Sequence, residues 1–220
     1  NNYVITNRHV VELAETLTVN FIDKNTGDFS EKPYEGLKIL AVSSDIDIAI
    51  LEFPKGVKPF KTGLQIYTNA LDDGDSVWTA GFPAFEGKPA WQLGTCSITN
   101  ATAKLDSLIK SNISTVIQHN AQIDGGSSGG PLLLKDSSAI GGYKVVGINT
   151  WKATNRQDTN FAIPAKVVQT FINDAISGKY KEKNNLKELK LRLDDFAKII
   201  ANKEAKYEEV LPFISMDYVS

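Results

Sequence analysis

The 220-residue sequence contains one cysteine, Cys96, and only two histidines, His9 and His119. A single thiol excludes an internal disulfide, and so few thiols and imidazoles at unrelated spacings exclude a thiolate-rich zinc site. No metal and no cofactor are expected. Long hydrophobic runs are missing too: stretches such as Ile48 to Leu51 fall far short of the roughly 18 residues that a membrane-spanning helix needs. Nor is there an excess of either charge, since 24 basic residues face 26 acidic ones for a net charge of −2. No lysine cluster interleaves with aromatic residues, so nucleic acid is not an expected partner. The chain opens on Asn1 and its only methionine is Met216. Its start therefore reads as processed or truncated, with no signal peptide in view.

What is present is ordinary globular composition, 42% hydrophobic, 23% charged and 9% aromatic, enough to bury a core. From Asn2 to about Phe171 the text is a series of short β-rich runs: 3–6, 17–22, 37–42, 46–53, 76–80, 91–98, 116–123, 131–134, 143–151 and 160–163. Turn residues punctuate them, as at 24–27, 54–56, 71–74 and 86–89, a pattern that predicts an all-β sandwich or barrel. A boundary near 72–75 separates two halves, about 1–72 and 75–163. After Pro164 the period changes. Val167, Val168, Phe171, Ile172 and Ile176 fall on one helical face before Gly178, so a helix closes a domain of 1–178. Residues 179–220 read as a helical extension, in which Leu186, Leu189, Leu193, Phe196 and Ile200 step by threes and fours. The first reading of that stripe is a helix packed on its own domain. A homo-oligomerising seam, or the first helix of a further helical region, is the alternative.

Three segments carry chemistry: Val4 to Val10 (VITNRHV), Ser44 to Leu51 (SDIDIAIL) and Asp124 to Leu132 (DGGSSGGPL). A serine hydroxyl is a poor nucleophile at neutral pH. Acyl transfer therefore needs a base within hydrogen-bond reach, a carboxylate to orient that base, and donors aimed at the developing oxyanion. Histidine, aspartate and serine in this order supply those parts. Glycines beside the serine let the chain turn so that N–H groups point inward, which makes the N–H groups of Gly126 and Ser128 the candidate oxyanion donors.

In these segments the sequence resembles the trypsin-like serine peptidases of chymotrypsin fold, most closely their bacterial HtrA-like branch. The resemblance runs through TNRHV at 6–10, DIAIL at 47–51 and GSSGGPLL at 126–133, with further echoes at 80–83, 93–98, 117–123, 145–150 and 160–164. It implies a double antiparallel β-barrel with the site in the cleft between halves, and hydrolysis of polypeptides through an acyl-enzyme. Carried over by position, His9 is the general base, Asp47 its orienting carboxylate and Ser128 the nucleophile. Asp45 and Ser127 are set aside because only Asp47 precedes Ile-Ala-Ile-Leu and only Ser128 directly precedes Gly-Gly-Pro. Gln122 stands where selectivity for arginine or lysine requires a carboxylate. The pocket shaped by Gln122, Ile123, Asn149, Thr150 and Phe161 is therefore expected to take apolar or small side chains. His119 and Cys96 are read as structural. Few residues precede His9, and no PDZ-like segment follows the peptidase region; the family's location implies a periplasmic or secreted protein. A catalytically silent protease-fold binding module and an esterase-type acyl hydrolase are the alternatives.

Overall fold

In the computed structural model, residues 3–23, 26–43, 45–105, 115–153 and 158–180 are described. The chain divides into two compact units, Asn1–Lys179 and Tyr180–Ser220. The stripe expected from Leu186 onward, with its oligomerising alternative, lies outside the described residues.

The first half is built on a three-stranded antiparallel sheet of β1 (Tyr3–Thr6), β2 (Lys38–Val42) and β3 (Ala49–Glu52), with β3 in the middle. The run Ile48–Leu51 is apolar throughout instead of alternating because both its faces are covered. Ile48 and Ile50 enter a core shared with the second half, including Val168 and Phe171. Ala49 and Leu51 enter a core of the first half with Val11, Leu37 and Phe53. The strand expected at 17–22 makes only single bridges, Val19 to Tyr34 and Ile22 to Phe29. Its partner stretch contains Pro33, which has no N–H to give to a ladder.

The second half is a closed barrel. Its six strands are β5 (Ser76–Gly81), β8 (Gln92–Ala103), β9 (Val116–His119), β12 (Asn160–Pro164), β11 (Tyr143–Lys152) and β10 (Pro131–Lys135), and pairing of β10 with both β5 and β11 shuts the ring. A two-residue strand β4 (Gln65–Ile66) adds to β11 in parallel. Strand β8 runs five residues past the expected end at Ile98, with register shifts between Ile98 and Asn100 and between Asn100 and Ala103. Such shifts bend a strand as barrel closure demands. A small hairpin, β6 (Ala84–Phe85) and β7 (Lys88–Pro89), turns at Glu86 and Gly87, both at positive φ (49° and 78°), so Lys88 and Pro89 pair where the sequence reads as turn. Helix α2 (Ala165–Ile176) follows Pro164 and buries Ala165, Val168, Phe171 and Ala175 at helical spacing against β11 and β12. The protein is thus mostly β with a chymotrypsin-like barrel. Among the described residues, ladder closure is complete in the second half only.

Candidate active site

Asn7 follows β1 and opens a one-turn helix, α1 (Arg8–Val11). Its amide does not cap that helix. Fully buried, it instead donates Nδ2–H to the Asp47 carbonyl at 2.8 Å. The pairing of Thr6 with Ala49 sets the α1 turn beside the residue two positions before Ala49. The Asp47 carboxylate consequently accepts the His9 backbone N–H at Oδ1 (3.0 Å) and meets His9 Nδ1 at Oδ2 (2.7 Å). An ionised carboxylate only accepts, so Nδ1 carries the ring proton and Nε2 the lone pair. Thr150, on β11, donates its hydroxyl to the same Oδ2 at 2.6 Å. The site is sheltered, with 12% of the Asp47 side chain and 25% of the His9 side chain exposed.

Ser128 lies in a tight loop between β9 and β10. Ser127 is buried; its N–H donates to the Asp124 carbonyl, and its hydroxyl accepts the Asp124 N–H at 3.3 Å. Gly129 N–H donates to the Asn149 carbonyl (3.0 Å) and Asn149 N–H to the Gly130 carbonyl (2.9 Å), so β11 grips the loop just past Ser128. Three glycines are required here, Gly126, Gly129 and Gly130, the last because a Cβ would strike the Ala80 carbonyl. A Cβ on Gly129 (φ 78°) would strike Thr6 Oγ1 and lie 3.1 Å from the Asn7 nitrogen, and one on Gly126 (φ 98°) would strike the Phe82 carbonyl. The serine loop is therefore seated against the two residues that lead into α1. Neither the N–H groups of Gly126 and Ser128 nor the Ser128 hydroxyl finds a partner among the described residues. That leaves two donors and one half-buried hydroxyl together.

The remaining expected site residues divide. Ile123 and Asn149 are buried in the segments flanking the loop, and Gln122 is exposed. Thr150 is on Asp47, as described above, while Phe161 is part of the barrel core. His119 is fully buried on β9, where its Nδ1 accepts the Ala121 N–H at 3.3 Å. Burial pushes its pKa down to about 4, partly opposed by the neighbouring Asn149 side chain. That Asn149 contact falls short of a well-formed bond, since His119 Nε2 and both Asn149 amide atoms are otherwise without partners. Burial pushes the Cys96 thiol up to about 11, so it is no thiolate nucleophile. Three contributors were not legible as such: Asn7 behind Asp47, the Thr150 hydroxyl, and Lys152, whose ammonium reaches the Ile123 carbonyl (3.1 Å) and the Asp124 carboxylate (3.0 Å). Only for Asn7 was there a local signal, its place in the TNRHV segment.

The model of the trypsin-like peptidase domain matches residues 1–141. Two Do-like serine proteases of Bacillus subtilis, HtrB and HtrA, are each 31% identical, over 183 and 186 residues. These matches cover 79% and 80% of this chain but only 35% and 36% of those proteins, so the chain spans about a third of their length. Among solved structures, the HtrA-type protease AlgW bound to a decapeptide superposes with a TM-score of 0.62 at 22% identity, over 80% of this chain and 49% of that one. With the barrel, the grip of Asp47 on His9 and the seated serine loop already in place, these likenesses lead to one conclusion: the chain belongs to the trypsin-like peptidase family, with HtrA serine proteases among its relatives.

Proposed function

We propose that the protein is a serine endopeptidase that hydrolyses polypeptides through an acyl-enzyme, with His9, Asp47 and Ser128 as its catalytic residues. The observation that carries this reading is the Asp47 carboxylate, held by His9 N–H, His9 Nδ1–H and the Thr150 hydroxyl, beside a loop whose glycines leave two N–H donors free. In this mechanism Ser128 Oγ attacks the substrate carbonyl carbon as His9 Nε2 takes its proton. The oxygen that becomes negative is met by the N–H groups of Gly126 and Ser128. As the C–N bond breaks, the imidazolium returns that proton to the leaving amine. A water molecule, deprotonated by the same Nε2, then attacks the ester and frees Ser128. Asp47 stays ionised throughout, fixing the tautomer and stabilising the imidazolium. The likeness to Do-like and DegP-like proteases, one of them a probable periplasmic endoprotease, supports a periplasmic or secreted location.

The test is covalent labelling by a fluorophosphonate together with peptide cleavage. The expected result is one label per chain, on Ser128, lost in Ser128→Ala along with cleavage. A folded full chain that neither labels nor cleaves leaves a binding module as the reading. A chain that labels and cleaves esters but no peptide leaves an esterase.

A further inference from the structure

We propose that Lys152 is a specificity-determining residue, and that its ammonium selects substrates with an acidic side chain, Glu or Asp, on the acyl side of the scissile bond. This rests on the peptidase reading above and deepens it.

The placement comes from three bonded relationships. Asn149 is joined on both sides to the Gly129–Gly130 turn, so the strand that continues through Thr150 and Trp151 to Lys152 runs along one flank of the Ser128 loop. Ile123 and Asp124 lead into that loop on the other flank. The Lys152 ammonium joins the two flanks, donating to the Ile123 carbonyl and to Asp124 Oδ1. In the proposed complex an acyl group with its carbonyl at Ser128 Oγ and its oxygen on the Gly126 and Ser128 N–H groups sends its side chain out between these flanks, toward the Lys152 ammonium that bridges them.

The charge balance then favours an acid. An ammonium has three N–H donors, and two are committed. A carbonyl partner leaves the positive charge intact, and the one neutralising group among the described residues, Asp124, has a side chain 70% exposed, so solvent weakens its hold. The third donor is available to a substrate carboxylate. A substrate arginine or lysine would instead bring a second cation to the same point, and no carboxylate stands at Gln122 to offset it. The apolar or small preference expected from sequence took no account of this ammonium, because Lys152 is 29 residues from Ile123.

The experiment compares kcat/KM of the full chain on peptides that differ only in the acyl-side residue, Glu against its neutral isostere Gln, with Ala, Leu and Arg alongside. The expected Glu-to-Gln ratio is about tenfold, with Arg the poorest. In Lys152→Met the ratio falls to about one. In Asp124→Asn, which removes the competing carboxylate, it rises above the wild-type value. A surface strap with no part in recognition would leave the ratio unmoved by both variants, whatever they did to stability. Should Lys152→Met fail to fold, the Asp124→Asn arm decides by itself. The proposal is overturned by a protein that labels and cleaves with a Glu-to-Gln ratio near one, or by a ratio that survives Lys152→Met and does not rise in Asp124→Asn. A chain that neither labels nor cleaves any of the peptides overturns the peptidase reading and this proposal with it.

Discussion

Thr150 and His9 converge on one oxygen, Oδ2 of Asp47, at 2.6 Å and 2.7 Å. The hydroxyl comes from the barrel and the imidazole from the first half, so this carboxylate also ties the two halves together at the point where orientation matters. Removing the hydroxyl leaves Asp47 with its two bonds to His9 but without the contact that fixes its carboxylate plane. Thr150→Val, nearly isosteric, should lower kcat about tenfold with little change in KM, in line with the loss of one charge-assisted hydrogen bond. Thr150→Ser should restore most of it. A KM effect with kcat untouched would place Thr150 in substrate binding instead.

The proton position at His9 gives a sharper test. In Asp47→Asn the side-chain oxygen and nitrogen can exchange places, and an amide NH₂ facing Nδ1 would force the ring proton onto Nε2, where the base must be empty. Fold and peptide binding should persist while kcat falls about 10³- to 10⁴-fold. Steady-state kinetics with an active-site titration measures this. A loss of less than tenfold would mean that Asp47 does not set the tautomer.

The seating of the serine loop depends on the glycine directly after Ser128. Gly129→Ala puts a methyl group into Thr6 Oγ1 and close to the Asn7 nitrogen, at φ 78°, where a side chain is already disfavoured. The hard contact is with the Thr6 hydroxyl, and behind it the Asn7 nitrogen and Thr6 Cα, backbone atoms at 3.1 Å, cannot swing aside as a long side chain can. The expected cost is about 2 to 4 kcal/mol, read as a lowered urea midpoint, together with loss of fluorophosphonate labelling. Gly125 is the control, since a Cβ there meets nothing within 4 Å. Equal effects at the two positions would show that loop flexibility, not contact with Thr6 and Asn7, is what the glycines provide.

What the sequence made legible follows the range of the interactions. Strands such as β5, β10 and β12 were readable because apolar and β-branched residues crowd into short runs between turns, and α2 because its buried residues repeat at helical spacing. The motifs that carry the candidates His9, Asp47 and Ser128 were legible because each is short and contiguous in the sequence. The unreadable parts depend on partners distant in the chain. β4 is two residues long and exists only through its pairing with β11. The run at 17–22 has the alternation of a strand but faces Pro33. The Thr150 hydroxyl finds Asp47 across 103 positions, and nothing near Lys152 announces Ile123 or Asp124. At Asn149 the sequence shows a polar residue near a pocket, whereas the structure uses its backbone to hold the serine loop and buries its amide beside His119.

His119 makes the stability of this arrangement depend on pH in a definite direction. Its folded pKa is lowered from 6.5 to about 4, chiefly by burial, so the native state keeps the ring neutral well below the pH at which the unfolded chain binds a proton. Between those values the unfolded state holds the extra proton, and unfolding is favoured as pH falls. The stabilisation is complete above about pH 6.5, declines through the window, and is exhausted near pH 4, for a total of about 3 kcal/mol. Other groups titrate over the same range, so the measurement is a difference: urea unfolding of wild type and His119→Gln at pH 7, 5.5 and 4.5. Glutamine keeps an acceptor for the Ala121 N–H but cannot protonate. The wild type should lose up to about 1.4 kcal/mol per pH unit more than the variant between pH 6.5 and 4, and the two should run parallel above pH 7. Parallel lines throughout would mean that His119 takes up its proton in the native state as readily as in the unfolded chain.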